Sequence, residues 1–206
     1  MIAIADGALG QISNILNRII ELAQQSATGT YSNTQRSAIQ EEYLALTSEI
    51  ERIAVVTEFN GYRLLSAGDS ISFQVGFDGS SISSLGFSGI QATLAQLGLA
   101  ESGSSVPMYS LIGGSELDSV SAARLTVEAL QAAVLGLNRS RGALGAAQSR
   151  LEATIRNLQV ARENMQSTQS GIMDADVAEE SAELARLTIQ QQAGAAMLAQ
   201  ANLQPR

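Results

Sequence analysis

The side chains best suited to chemistry in this 206-residue chain are carboxylates. Asp174, Asp176, Glu179, Glu180 and Glu183 lie within ten residues, with no base among them. Carboxylates at such spacing can hold calcium or exchange protons. MDADVAEE lacks the glycine and the regular oxygen ladder of a calcium loop. An apolar run follows, so the acids suit a helix N-terminus, where they meet the positive end of the macrodipole. Asp176 and Glu179 have capping-box spacing. The sequence holds no His and no Cys. That removes Ser-His-Asp and Cys-His catalysis, His and thiolate metal sites, and disulfides. No catalytic residue, metal or cofactor is expected, and the chain does not read as an enzyme.

Other local patterns read as structure. Asn60-Gly61 is a turn former. Asn138-Arg139-Ser140 matches a glycosylation sequon but falls inside a helical pattern, so chance is the better explanation. The Ser-rich stretch 80–88 reads as a solvated loop or strand edge ahead of a modified surface. Net charge is −8, and the 12 basic residues, all Arg, are scattered without a run. Nucleic-acid binding needs clustered positive charge and is not expected. No uninterrupted apolar run approaches the roughly 18–20 residues that span a bilayer, so membrane insertion is not expected either.

The positioning elements are mostly helices. Leu9, Ile12, Leu16, Ile19 and Ala23 step by 3 and 4, as do Ile39, Tyr43, Leu46, Ile50 and Ile53. Ser32 with Gln35 fits a capping box, and Ser115 with Asp118 has the same spacing. Val120, Ala123, Val127, Leu130, Val134, Leu137, Leu144, Leu151, Ile155, Leu158 and Met165 share one heptad register, interrupted by Arg141, Gln148 and Arg162. Such a repeat specifies a seam against partner helices. Between these helices, ten of the 18 glycines lie from Gly61 to Gly114, and every Phe and Tyr precedes Leu111. Ile71, Phe73, Val75 and Phe77 alternate like a half-buried strand. Asp78-Gly79 is a hairpin turn signal, and residues 80–87 can return as the second strand. Residues 91–97 suggest a short helix.

The expected fold is mainly α: an elongated bundle of long heptad-patterned helices, with a small hairpin-containing insert and a helical tail. The expected divisions are 1–60, a helical hairpin; 61–114, a strand- and loop-rich insert; 115–169, a long helix; and 170–206, a terminal helix after a break at Ser170-Gly171. In the tail, Val177, Leu184, Leu187, Met197 and Leu198 form an apolar stripe among Ala and Gln. Burying one such side chain is worth roughly 1.5–3 kcal/mol, so the stripe is expected to pack on its own bundle, a neighbouring subunit or a chaperone.

These residues carry a resemblance. The stretch LNRIIELAQQSATGTYSNTQRSAIQEEYLALTSEIERIAVVTEFNGYRLL resembles the N-terminal region of bacterial flagellin, and ISFQVGFDG its following hairpin. RSRGALGAAQSRLEATIRNL and GIMDADVAEESAELARLTIQQQAGAAMLAQANLQP are similar to the flagellin C-terminal region. The likeness covers residues 3–78 and 117–205. A flagellin would add a helical segment before MIAIADGAL and a Leu-rich ending after QPR, so the resemblance implies a flagellin shortened at both ends, without large outer domains. It implies a filament subunit, exported by the flagellar secretion system without a cleaved signal and assembled outside the cell with other flagellin subunits. It also implies an export chaperone that grips the tail. A flagellin-sensing Toll-like receptor would meet Arg18, Leu22 and Glu42, where Ile20 replaces an Arg often present. The alternatives are a hook–filament junction protein, or a surface binding module on a flagellin-like scaffold whose aromatic platforms would come from the middle segment.

Overall fold

A computed structural model describes the chain apart from residues 69, 77–79, 81–82, 88, 174–175 and 203–206. Helices α1 (Ile2–Ser26) and α2 (Asn33–Val56) come first. Two short strand pairs follow: β1 (Glu58–Phe59) with β2 (Tyr62–Arg63), and β3 (Ile71–Gln74) with β4 (Ser84–Phe87). The long α3 (Glu116–Met173) and then α4 (Val177–Asn202) complete the chain. The fold is mainly α with a small β insert. The chain divides into two compact units, Met1–Thr154 and Ile155–Arg206.

The first unit has one hydrophobic core. The 3–4 stripe of α1 supplies Leu9, Ile12, Leu16, Ile19 and Ala23, all fully buried. From α2 come Tyr43, Ile50 and Ala54, and from α3 Ala123, Leu130, Ala133, Leu137 and Leu144. The insert closes the same core with Leu64, Leu65, Leu94, Leu99 and Leu111. Each of these large side chains contributes roughly 1.5–3 kcal/mol of burial. Arg141, an interruption in the heptad, faces Asp6 of α1 with Nε 2.9 Å from Oδ1. A long side chain at that position reaches across the seam to a charge on the partner helix and so keeps the register.

The junction between α1 and α2 is held by polar groups. Ser32 caps α2 with its hydroxyl on the Gln35 N–H, and the Gln35 side chain accepts the Ser32 N–H at 3.0 Å. Arg36, fully buried, donates to the carbonyls of Tyr31 (3.0 Å), Thr28 (2.9 Å) and Ser26. Helix α1 leaves its last carbonyls without helical partners, and the guanidinium fork satisfies several groups of this turn at once. The insert is tied down similarly. Gln40 accepts the Leu111 N–H at 2.7 Å, Ser26 donates to the Leu111 carbonyl at 3.1 Å, and Glu51 accepts the Leu94 N–H at 2.9 Å. Gly113 donates to Ser119 Oγ at 2.9 Å, and a Cβ there would lie 2.6 Å from Asp118. No other residue type fits that approach.

Several expectations need adjustment. Residues 91–97 are turns, ended at Gly98 with φ +74°. Glu51 caps the segment, and the chain then bends into a bridge between Ala100 and Pro107. The alternating strand is four residues long, pairing Ile71 with Phe87 and Gln74 with Ser84. Phe77 and the Asp78-Gly79 turn signal lie outside the described residues. Asn60 (φ 53°) and Gly61 (φ 79°) form the tight turn joining β1 and β2. Helix α3 passes through Ser170-Gly171 and runs on to Met173, because an exposed helix interior tolerates a single glycine at a cost of about 1 kcal/mol. One 18-residue window between residues 118 and 202 reaches a mean hydropathy of 1.3, enough by length and composition to cross a membrane. Averaging over polar positions admits what an uninterrupted run did not, and 28% of that window is buried inside the protein.

Candidate assembly surface

The heptad seam of α3 changes character along its length. Leu137 and Leu144 are each 1% exposed. At the same position of the next repeats, Leu151 and Leu158 are half-buried, Met165 is 57% exposed and Ile172 is 79% exposed. Arg141 meets Asp6 in the first turns of α1, and the seam shares one core cluster with α1 as far as Leu144. Beyond Leu144 no described residue of α3 is part of the buried core.

Helix α4 is open along its whole described length and has no buried residue. Val177, Leu184, Leu187, Met197 and Leu198 are all exposed. Val177, Leu184, Leu187 and Leu198 share one heptad register, with Glu180, Gln191 and Gly194 at the three intervening positions. Ile189 is a further exposed apolar residue that the stripe did not include. Five such side chains, each worth roughly 1.5–3 kcal/mol on burial, represent on the order of 10 kcal/mol for an association that covers them. On α3, Met165, Ile172 and Met173 line a shallow groove of about 480 Å³ with Asn164, Thr168 and Gln169. The signal for this part was in the sequence, since Ile172 follows Met165 by one heptad.

The acidic residues take structural positions. Asp176 Oδ1 accepts the N–H groups of Ala178 (2.9 Å) and Glu179 (3.3 Å), capping α4. Glu183 pairs with Arg186 one turn on, and that hydrogen bond raises the Arg186 pKa. Asp174 lies outside the described residues. Among the described residues, no three His, Cys, Asp or Glu side chains are placed to hold a metal ion.

The three residues singled out on the first helices separate into two environments. Arg18 donates through Nε to Glu42 Oε1 at 2.9 Å and through Nη1 to Glu21 at 3.2 Å. The hydrogen bond to Glu42, ahead of the one to Glu21, holds its pKa above the ordinary arginine value. This cluster is on the surface. Leu22 is 2% exposed and belongs to the buried stripe of α1. Its placement on a recognition surface is corrected here: the 3–4 periodicity that buries Ile19 and Ala23 also turns Leu22 inward.

The described geometry is that of a helical bundle with polar junctions and exposed apolar stripes on α3 and α4. The family follows from comparison. Residues 1–69 match the bacterial flagellin N-terminal helical region, and residues 127–206 match the bacterial flagellin C-terminal helical region. The flagellin of Halalkalibacterium halodurans is 35% identical over 206 residues, covering 100% of this chain and 71% of that protein. The flagellin of Bacillus subtilis is 34% identical, covering 100% and 74%. The flagellar filament 31.3 kDa core protein of Treponema maltophilum is 34% identical, covering 98% and 71%. The crystal structure of Bacillus cereus flagellin superposes with a TM-score of 0.62 at 26% identity, over 81% of this chain and 89% of that one. The chain belongs to the bacterial flagellin family, whose members are structural subunits of the flagellar filament.

Proposed function

We propose that the uncovered part of the α3 seam and the stripe of α4 are the surface through which this chain joins other flagellin subunits in the filament. The observation that carries the reading is the passage from 1% exposure at Leu144 to 79% at Ile172, positions four heptads apart in one helix. A contiguous exposed apolar stripe of this kind marks an interaction site. Association of one face with a different face of the next copy gives an open helical array. In this reading the chain is exported by the flagellar secretion system and assembles outside the cell. Before assembly, a chaperone covers Val177, Leu184, Leu187, Met197 and Leu198. Recognition by a flagellin-sensing Toll-like receptor would use Arg18 and Glu42 without Leu22.

Sedimentation velocity of the chain and of a Leu184→Asp/Leu187→Asp variant tests the assembly role. The parent should self-associate with rising concentration and the variant should stay monomeric with unchanged tyrosine fluorescence. A variant that associates as well as the parent would remove the α4 stripe from the interface.

A further inference from the structure

Sulfur is distributed unevenly in this protein. There is no Cys, and the five Met are the only sulfur-bearing side chains. None of the five belongs to the buried core. Three of them stand in the second unit: Met165 at 57%, Met173 at 72% and Met197 at 74% exposure. Met165 holds the seam position that Leu137 and Leu144 hold in the buried part. Met173 lies beside Ile172 in the groove, with Gln169 Nε2 3.6 Å from its sulfur. Met197 adjoins Leu198 in the α4 stripe.

We propose that Met165, Met173 and Met197 are an oxidation site that gates assembly: a peroxide converts their thioethers to sulfoxides in the free subunit and thereby blocks self-association. The inference rests on the assembly reading above. The step is a two-electron oxygen transfer. With hydrogen peroxide, the sulfur lone pair attacks one peroxide oxygen, the O–O bond breaks as an S–O bond forms, and the departing hydroxide takes the proton of the transferred hydroxyl to leave as water. Sulfur is oxidised and the peroxide is reduced. The product places a strong dipole on a stripe that must lose water when two copies meet. A thioether suits that stripe because it is apolar and adapts to irregular neighbours. Its sulfoxide forfeits both properties. Exposure favours reaction in the free subunit, and burial protects the sulfurs once subunits are joined. Methionine sulfoxide reductases reverse the change.

The test treats the full chain with hydrogen peroxide and follows mass and self-association together. Each sulfoxide adds about 16 Da. The expected result is oxidation at residues 165, 173 and 197, with a fall in associated material of about tenfold or more, restored by methionine sulfoxide reductase. The variant Met165→Leu/Met173→Leu/Met197→Leu should associate equally before and after peroxide. Met108→Leu should remain as sensitive as the parent, since Met108, 55% exposed, belongs to the insert. An oxidised parent that associates as well as the untreated chain overturns the gate and leaves the assembly reading standing. An untreated parent that never associates overturns the assembly reading, and the gate with it.

Discussion

Two stretches of α3 carry the same heptad and meet different fates. Between Ala123 and Leu144 the seam is closed by α1, α2 and the insert. Between Met165 and Ile172 it is open. Amphipathic patterning therefore states that a face will be covered and leaves open by what. In the first stretch the covering helices are in the chain. In the second, the family places this protein in a filament, and other copies are the covering material we propose.

The comparison yields a ranked series of outcomes. Replacing a closed-seam residue should do the most damage: Leu137→Ala should lower the stability of the dilute chain by about 2–5 kcal/mol in urea denaturation. Ile172→Ala, at the same heptad position of the open stretch, should change it by ~0.5 kcal/mol or less. All four Tyr precede Leu111 and there is no Trp, so tyrosine fluorescence reports the first unit selectively. Equal losses from both substitutions would break the distinction between the stretches.

Next comes the junction that lets α2 fold back. Arg36→Met removes the donors to three backbone carbonyls and should cost about 2–4 kcal/mol by the same assay. A neutral result would mean that water replaces the guanidinium there.

A pH effect follows from Tyr43. Its hydroxyl is buried without a hydrogen-bond partner, and burial, with Tyr109 nearby, pushes its pKa up to about 12. Below about pH 10 the phenol is neutral in both states and this contribution is intact. As pH rises toward 12 the unfolded chain ionises first, and stability should fall by about 2 kcal/mol. Tyr43→Phe should flatten that slope in urea melts at pH 9 and pH 11, and should stabilise the neutral protein by about 1 kcal/mol by removing an unsatisfied buried group. The smallest effect belongs to the exposed Arg141–Asp6 pair, where Asp6→Asn should cost ~0.5 kcal/mol or less.

The helices were legible because their signals are local and repeated. The 3–4 steps of α1, the capping box at Ser32 and the cap at Asp176 can each be read within a few residues. The strand pairing of Ile71 with Phe87 was partly legible, because alternation shows a strand but not its end. Arg36 was not legible as a clamp. Its carbonyl partners are defined only once α2 folds back on α1, and an arginine after a helix cap reads as a surface charge. Leu22 shows the opposite failure, in which a family pattern suggested a surface role for a side chain that its own periodicity buries. The assembly surface was half legible: the tail stripe stood out as a run, while Ile172 emerged only when the heptad was followed past Met165.

Hydrogen–deuterium exchange of the full chain, at low concentration and after self-association, tests the central claim most directly. The account predicts that residues 120–144 are protected in both states, while residues 158–173 and 177–202 exchange readily when dilute and become protected on association. Tail residues equally protected when dilute, or gaining nothing on association, would contradict it.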